Sequence, residues 1–187
     1  MKCINFDRAF ERYMAGWMKE NSEKYKDDMD VIEDMMPDVY LEFLQKPADF
    51  LDGVAPQNYF EQFDDADMLV GWLCDYIAQG VPVPDLLLER ITSLGESAEK
   101  SLLALLDRTD LPEETEMTVV SLLREMESQA PMQRYIDFIA SLEEPSDKGD
   151  LCAEALLSMG EAVVAPVLAA LSGAGQAGRD IFADILS

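Results

Sequence analysis

Apolar residues recur along this chain with the 3.6-residue period of helices, and no stretch alternates convincingly with the period of two that marks a strand. The chain is therefore expected to be all-α. The first helix is the best marked: Phe6, Phe10, Tyr13, Met14, Trp17 and Met18 make one broad stripe that starts near Asn5 to Asp7. A second begins near Asp27 and carries Ile32, Met36, Val39 and Phe43, with Pro37 expected to kink or restart it and Pro47 to end it. The stretch Phe50 to Phe63 is unusually aromatic and is punctuated by Gly53 and Pro56. Asp64, Asp65 and Asp67 follow, placed where negative charge favours the start of the helix through Trp72 and Tyr76, which Gly80 closes.

Gly80-Val81-Pro82-Val83-Pro84-Asp85 reads as an extended connector, because each proline fixes its own φ and pushes the preceding residue away from helix. The expected division is residues 1–80 and 81–187. Within the second part Leu86 to Asp107 aligns with Leu151 to Ser172, and eight of the 22 positions are identical. The core of the match is Ser93-Leu94-Gly95-Glu96 against Ser158-Met159-Gly160-Glu161. Halfway between, Leu123, Met126, Tyr135, Ile136 and Ile139 fill the corresponding apolar places, with Ser128-Gln129-Ala130-Pro131 as the turn, so the period is about 32 to 33 residues. Each unit is read as a helix, a tight turn and a second helix, with Gly95 and Gly160 supplying the positive φ that ends a helix. One more helix is expected from Ala177 to Leu186, with Ile181, Phe182 and Ile185 facing inward.

The run Leu156 to Leu171, with Gly178-Arg179 opening the next helix, resembles the HEAT-like repeat family in its short, phycobilisome-lyase-associated form. The resemblance covers residues 86–187. It implies a right-handed α-α superhelix, a HEAT-like solenoid, with residues 1–80 as an N-terminal helical cap or degenerate repeats. A lone hairpin cannot bury its own apolar face, so such repeats stack, and members of the family generally act as binding surfaces. The motif residues here are packing residues, and no catalytic position carries over.

Charge narrows the partners. With 38 acidic and 14 basic residues the net charge is −24, a field that repels phosphate backbones and anionic lipid surfaces, so neither nucleic acid nor membrane is expected as a partner. The small basic cluster Lys19, Lys24 and Lys26 runs directly into Asp27, Asp28 and Asp30 and reads as self-compensation. There is no histidine, which removes the commonest general base and metal ligand and every Ser-His-Asp or Cys-His mechanism. Cys3, Cys74 and Cys152 are odd in number and far apart, which suits free thiols in a reducing compartment. Without a signal-like apolar start or an apolar run near 20 residues, the protein is expected to be soluble and cytoplasmic.

Short chemical motifs add little. Gly173 to Gly178 satisfies G-x-G-x-x-G, yet it follows a helix and leaves no room for a βαβ unit, so a plain interhelical loop is expected. Ser97-Ala98-Glu99-Lys100 matches S-x-x-K without its companion elements and reads as a solvated helix face. The carboxylates Asp27, Asp28, Asp30, Glu33 and Asp34 spread around the helix axis and read as an acidic face, not a metal loop. Carboxylate pairs for glycoside chemistry are abundant by composition alone, and none stands out. No catalytic residue, cofactor or metal is assigned.

Two surfaces stay open as partner-binding candidates. Phe50, Tyr59, Phe60 and Phe63 form either a recognition loop or a plug at the end of the helical stack. Ala162, Ala165 and Ala169, with Ser172, form a small-residue stripe that lets another helix approach closely, the chain's own last helix being the plainest partner; Val163, Val167, Leu168 and Leu171 are expected on the opposite side. The expected function is a non-enzymatic interaction or scaffold module that binds another protein. The alternatives are an acidic mimic that occupies the nucleic-acid site of a basic protein, or an enzyme working through carboxylates and tyrosine.

The charge excess acts on stability as well. Protonating carboxylates relieves more repulsion in the compact state than in the extended one, so the folded chain takes up protons more readily and stability grows as pH falls. Thermal melts should show the melting temperature rising from pH 8 towards about pH 5.5, by about 2–4 °C for each kcal/mol gained. About 200 mM added salt should raise it at pH 8 by screening. A flat or falling trend in both series would mean that the carboxylates are locally paired or hold cations.

Overall fold

The computed structural model describes residues 3–21 and 29–187. Lys24, Lys26, Asp27 and Asp28, and the side chain of Asp30, lie outside the described residues. The described chain is all-α: ten α-helices and four short 3-10 helices, with no strand. It divides into two compact units, Met1–Ile91 and Thr92–Ser187. The division falls near the end of a helix and not at the proline connector. The reason is visible in that helix, where Arg90 donates to the Phe63 carbonyl at 3.0 Å and pairs with Asp64 at 2.5 Å and Glu61 at 3.4 Å, tying it to the preceding residues.

In the first unit, α1 (Phe6–Asn21) is capped by Asn5, whose Oδ1 accepts the Arg8 amide at 2.8 Å. Its apolar stripe meets α2 (Met29–Gln45) through aromatic rings: Phe10 and Tyr13 stand 5.4 and 5.5 Å from Phe43. Pro37 does not interrupt α2. Its ring sits on the exposed side, and what it removes is the bond to the carbonyl one turn earlier, while Ile32, Val39 and Phe43 stay buried on either side of it. That burial offsets the roughly 3 kcal/mol that an interior proline costs a helix.

The aromatic stretch forms three 3-10 turns, at Asp49–Leu51, Pro56–Asn58 and Phe60–Gln62. Helix α3 (Ala66–Ala78) starts as the acidic cluster requires, with Asp65 accepting the Met68 amide at 3.0 Å. Tyr76 on α3 is fully buried, and its hydroxyl accepts from the Ile4 amide at 3.1 Å and donates to the Ile4 carbonyl at 3.0 Å. This two-way bond fixes the chain just before α1. Helix α4 (Asp85–Ser93) completes the unit with Leu87 and Ile91 fully buried.

The second unit contains α5 (Glu96–Leu106), α6 (Glu113–Glu125), α7 (Met132–Ala140), α8 (Asp147–Ser158), α9 (Val164–Leu171, entered through a 3-10 turn) and α10 (Gln176–Ile185). Helix α5 packs on α6, α6 on α8, and α7 on α8 and α9, while α10 lies against α7, α8 and α9. Leu102, Val119, Leu123, Ile136, Leu156 and Val167 carry the core, each with no exposed surface or nearly none. The G-x-G-x-x-G segment is the turn before α10 together with the helix's first three residues. A Cβ at Gly178 would lie 2.3 Å from the Ile139 carbonyl oxygen, so its glycine is a packing requirement.

Positions 32 or 33 residues apart share a positive φ at the turn and burial in the helices. Gly95, Glu127 and Gly160 all have positive φ, at 57°, 55° and 66°. Leu87, Val119 and Cys152 are buried, as are Ile91, Leu123 and Leu156, and Leu102, Tyr135 and Val167. The middle turn lacks a glycine, and Glu127 adopts the same left-handed φ, with Ser128 N–H reaching the Leu123 carbonyl at 2.9 Å.

Three acidic side chains are sealed in the two cores. Burial pushes the Cys152 thiol up to about 12 from 9.0 and the Tyr76 hydroxyl up to about 12 from 10.0, and it raises Tyr135 as well. The Tyr135 hydroxyl is buried without a hydrogen-bond partner among the described residues.

Gly95→Val and Gly160→Val should each cost about 1–2 kcal/mol in denaturant unfolding. The space around both glycines is open, so the loss is backbone strain alone. Glu127→Gly should be neutral or stabilising by up to about 1 kcal/mol, and Gly178→Ala should cost about 2 kcal/mol or more. Unchanged stability of both valine variants would break the equivalence of the turns.

A raised folded pKa on an acidic group gives stability that is present below its unfolded value and lost as pH climbs through the folded one. Melting temperature should therefore decline between about pH 9 and 12, less steeply in Cys152→Ala, and Cys152 should resist thiol reagents at pH 8 until the chain is unfolded. Rapid modification of native Cys152 would contradict its burial.

Candidate functional site

The sequence-derived candidates separate on burial. Phe60 is 1% exposed and stands 5.7 Å from Phe6 and 6.3 Å from Trp72, so it belongs to the core of the first unit and has no face to offer. Tyr59 and Phe63 are half-buried. Tyr59 lies 6.1 Å from Phe6, and Phe63 meets Trp72 edge-on at 4.7 Å. The rings are stacked chiefly on one another.

The small-residue stripe has the opposite character. Ala162, Ala165, Ala169 and Ser172 are all exposed, so the last helix does not cover them. Val163 and Val167 turn inward as expected, but Leu168 does not: it is 55% exposed. Val164, one turn earlier on α9, is 40% exposed, and Leu157 near the end of α8 is 53% exposed. Leucine and valine left in water on one short helix, beside alanines that permit close approach, make an apolar face without a cover inside its own unit. Glu161, also exposed, stands one turn before Ala165 and gives this side an acidic edge.

A second surface, in the first unit, escaped the sequence reading. Cys3, Ile4, Asn5, Arg8, Ala9, Arg12 and Phe50 line a groove of about 530 Å³. Arg8 and Arg12 are exposed and one helical turn apart on α1, and neither guanidinium has an ion pair or hydrogen bond among the described residues. Phe50 is 45% exposed and meets Phe6 edge-on at 6.3 Å. Burial and the nearby Asp75 push the Cys3 thiol up, so this cysteine is not an activated nucleophile. The available signal was an arginine pair at i, i+4 in an acidic chain.

Other clusters are engaged within the chain. A notch of about 300 Å³ lined by Glu96, Glu99 and Glu125 looks acidic, but Glu96 pairs with Lys100 at 2.6 Å and Glu99 accepts the Ser128 hydroxyl at 2.5 Å. The Lys100 bond holds Glu96 below its ordinary value, as the Arg108 bond does for Asp110. Lys100 and Ser97 of the S-x-x-K motif thus serve a surface ion pair and a helix turn, Ser97 donating to the Leu94 carbonyl at 3.1 Å. Glu33 and Asp34 are exposed, and no group of three or more metal-ligating side chains occurs among the described residues. None of the three cysteines forms a disulfide, and among the described residues no helix is long and apolar enough to cross a membrane. Compared with family models, with curated proteins and with solved structures, the chain matches none of them.

Proposed function

We propose that the chain is a non-enzymatic protein-interaction module in which HEAT-like helical hairpins stack as a right-handed superhelix and present the α9 face to a partner protein. The single observation that carries this reading is the exposed apolar face of Val164 and Leu168 on α9, flanked by Ala165 and Ala169. Large apolar side chains in water are a standing cost of about 25 cal/mol per Å², which a partner removes by covering them. The recurrence of positive φ at Gly95, Glu127 and Gly160, with buried positions in step, supports the hairpin repeat. Of the exposed apolar residues on α2, Tyr40 is already held edge-on at 5.0 Å from Phe10.

The partner chemistry follows from the surroundings. A chain of net charge −24, with Glu161 at the edge of the face, favours an amphipathic helix that presents small and apolar side chains inward and basic ones at its flanks. The acidic-mimic reading is favoured less, because many carboxylates serve helix starts: Asp65 on α3, Glu96 and Glu99 on α5, Glu113, Glu114 and Glu116 on α6, and Asp147 and Asp150 on α8.

A photo-cross-linking residue at Ala169, used in cells that make the protein, should give a discrete protein adduct. Leu168→Asp and Val164→Asp should abolish that adduct while moving stability by no more than about 0.5 kcal/mol, since both sites are exposed. No adduct, or one that survives both substitutions, would overturn the reading.

A further inference from the structure

We propose that the groove beside α1 binds a small organic anion: a single carboxylate on an aromatic or aliphatic body, held by Arg8 and Arg12 at the charge and by Phe50, Ile4 and Ala9 along the body. This site is independent of the α9 face and rests on other residues.

The first support is the distribution of positive charge. Acidic residues outnumber basic ones by 38 to 14, so an arginine in this chain has carboxylates in abundance. Every other arginine is tied down. Arg90 pairs with Glu61 and Asp64, Arg108 with Asp110, Arg124 with Glu154 and Arg134 with Asp107, and Arg179 donates to the Ala174 carbonyl. Arg8 and Arg12 stand apart from this pattern, although Asp7 and Glu11 are their neighbours in sequence. Two guanidiniums at i, i+4 can converge on one group, and each presents a planar fork of donors that matches a carboxylate.

The second support is shape. A volume of about 530 Å³ lies within the range of small-ligand pockets, and the walls combine a few polar groups with apolar surface. Phe50 keeps nearly half of its surface exposed while its edge contact with Phe6 holds the ring in place. The rim is preorganised: the Tyr76 hydroxyl holds both polar groups of Ile4, and Asn5 caps the helix that carries the arginines.

The charge of the whole chain selects among anions. A field of −24 opposes polyanions such as nucleic acid or polyphosphate at distances beyond the site, whereas one carboxylate feels mainly the two guanidiniums within a Debye length of about 8 Å. The apolar wall then distinguishes an organic acid from a bare inorganic ion.

The experiment is a titration of the full ¹⁵N-labelled chain followed by NMR, with phenylacetate and hexanoate as probes and acetate, inorganic phosphate and benzyl alcohol as comparisons. Phenylacetate or hexanoate should give saturable shifts at the Arg8 and Arg12 side chains and the Phe50 amide, with tighter binding than any comparison compound. The double variant Arg8→Ala, Arg12→Ala should raise the apparent Kd about tenfold or more with an otherwise unchanged spectrum, because both side chains are exposed. Phe50→Ala should bring phenylacetate close to acetate. The proposal is overturned by absence of saturation with both probes, by phosphate or benzyl alcohol binding as tightly as phenylacetate, or by shifts that survive the double arginine variant.

Discussion

Positive charge is the scarce material of this protein, and where it is spent organises the surface. With 24 carboxylates in excess, repulsion is reduced mainly by position and by water, since bases can neutralise only a minority. Position is used first: acidic residues occupy the opening turns of α3, α5, α6 and α8, where unpaired N–H groups and the helix dipole favour them. Some of the bases join separate elements. Arg124 on α6 bonds Glu154 on α8, and Lys148 on α8 bonds Glu116 on α6 in a half-buried pair while lying 4.2 Å over the Phe138 ring. Against that economy, two arginines left without a partner on α1 are conspicuous.

The apolar half of the structure is legible from the same logic of scarcity. Most helices here are short, eight to thirteen residues in the second unit, too short to hold themselves in water without tertiary packing. Each therefore spends its stripe on its neighbours. The stripe of α1 and the cap at Asp65 could be read directly, because period and capping chemistry are local properties. Gly95 and Gly160 were readable for the same reason: positive φ selects glycine. Glu127 was not, because a single non-glycine residue can occupy the left-handed region when the six-to-one bond from Ser128 and the buried Leu123 over-determine the turn.

What could not be read was set by tertiary choices that leave no periodic trace. Pro37 looked like a breaker, but the burial of Ile32, Val39 and Phe43 around it offsets its cost, and only packing reveals that burial. The aromatic stretch 50–63 carries no period at all. Its division of labour, with Phe60 in the core and Phe50 at the groove, depends on three single-turn helices and on contacts with Phe6 more than forty residues earlier. The boundary between units at Ile91 was likewise hidden, since the proline connector is a conformational break while Arg90 carries the bonds that assign α4 to the first unit.

The exposed face of α9 is best understood as a consequence of how α10 is held. Gly178 and Gly175 bring the start of α10 against the backbone after α7: Gly175 N–H bonds the Ala140 carbonyl at 2.8 Å, and Gly178 N–H bonds the Leu142 carbonyl at 3.2 Å. Ala174, Ala177 and Phe182 are buried in doing so. Had α10 been drawn instead to the alanines of α9, the stripe would have been an internal seam. Because the glycines commit α10 to the end of α7, α9 contributes Val163 and Val167 to the core and leaves Val164, Leu168 and the alanines outside. The loop that resembles a phosphate-binding motif thus has a packing role, and that role is what opens the apolar face.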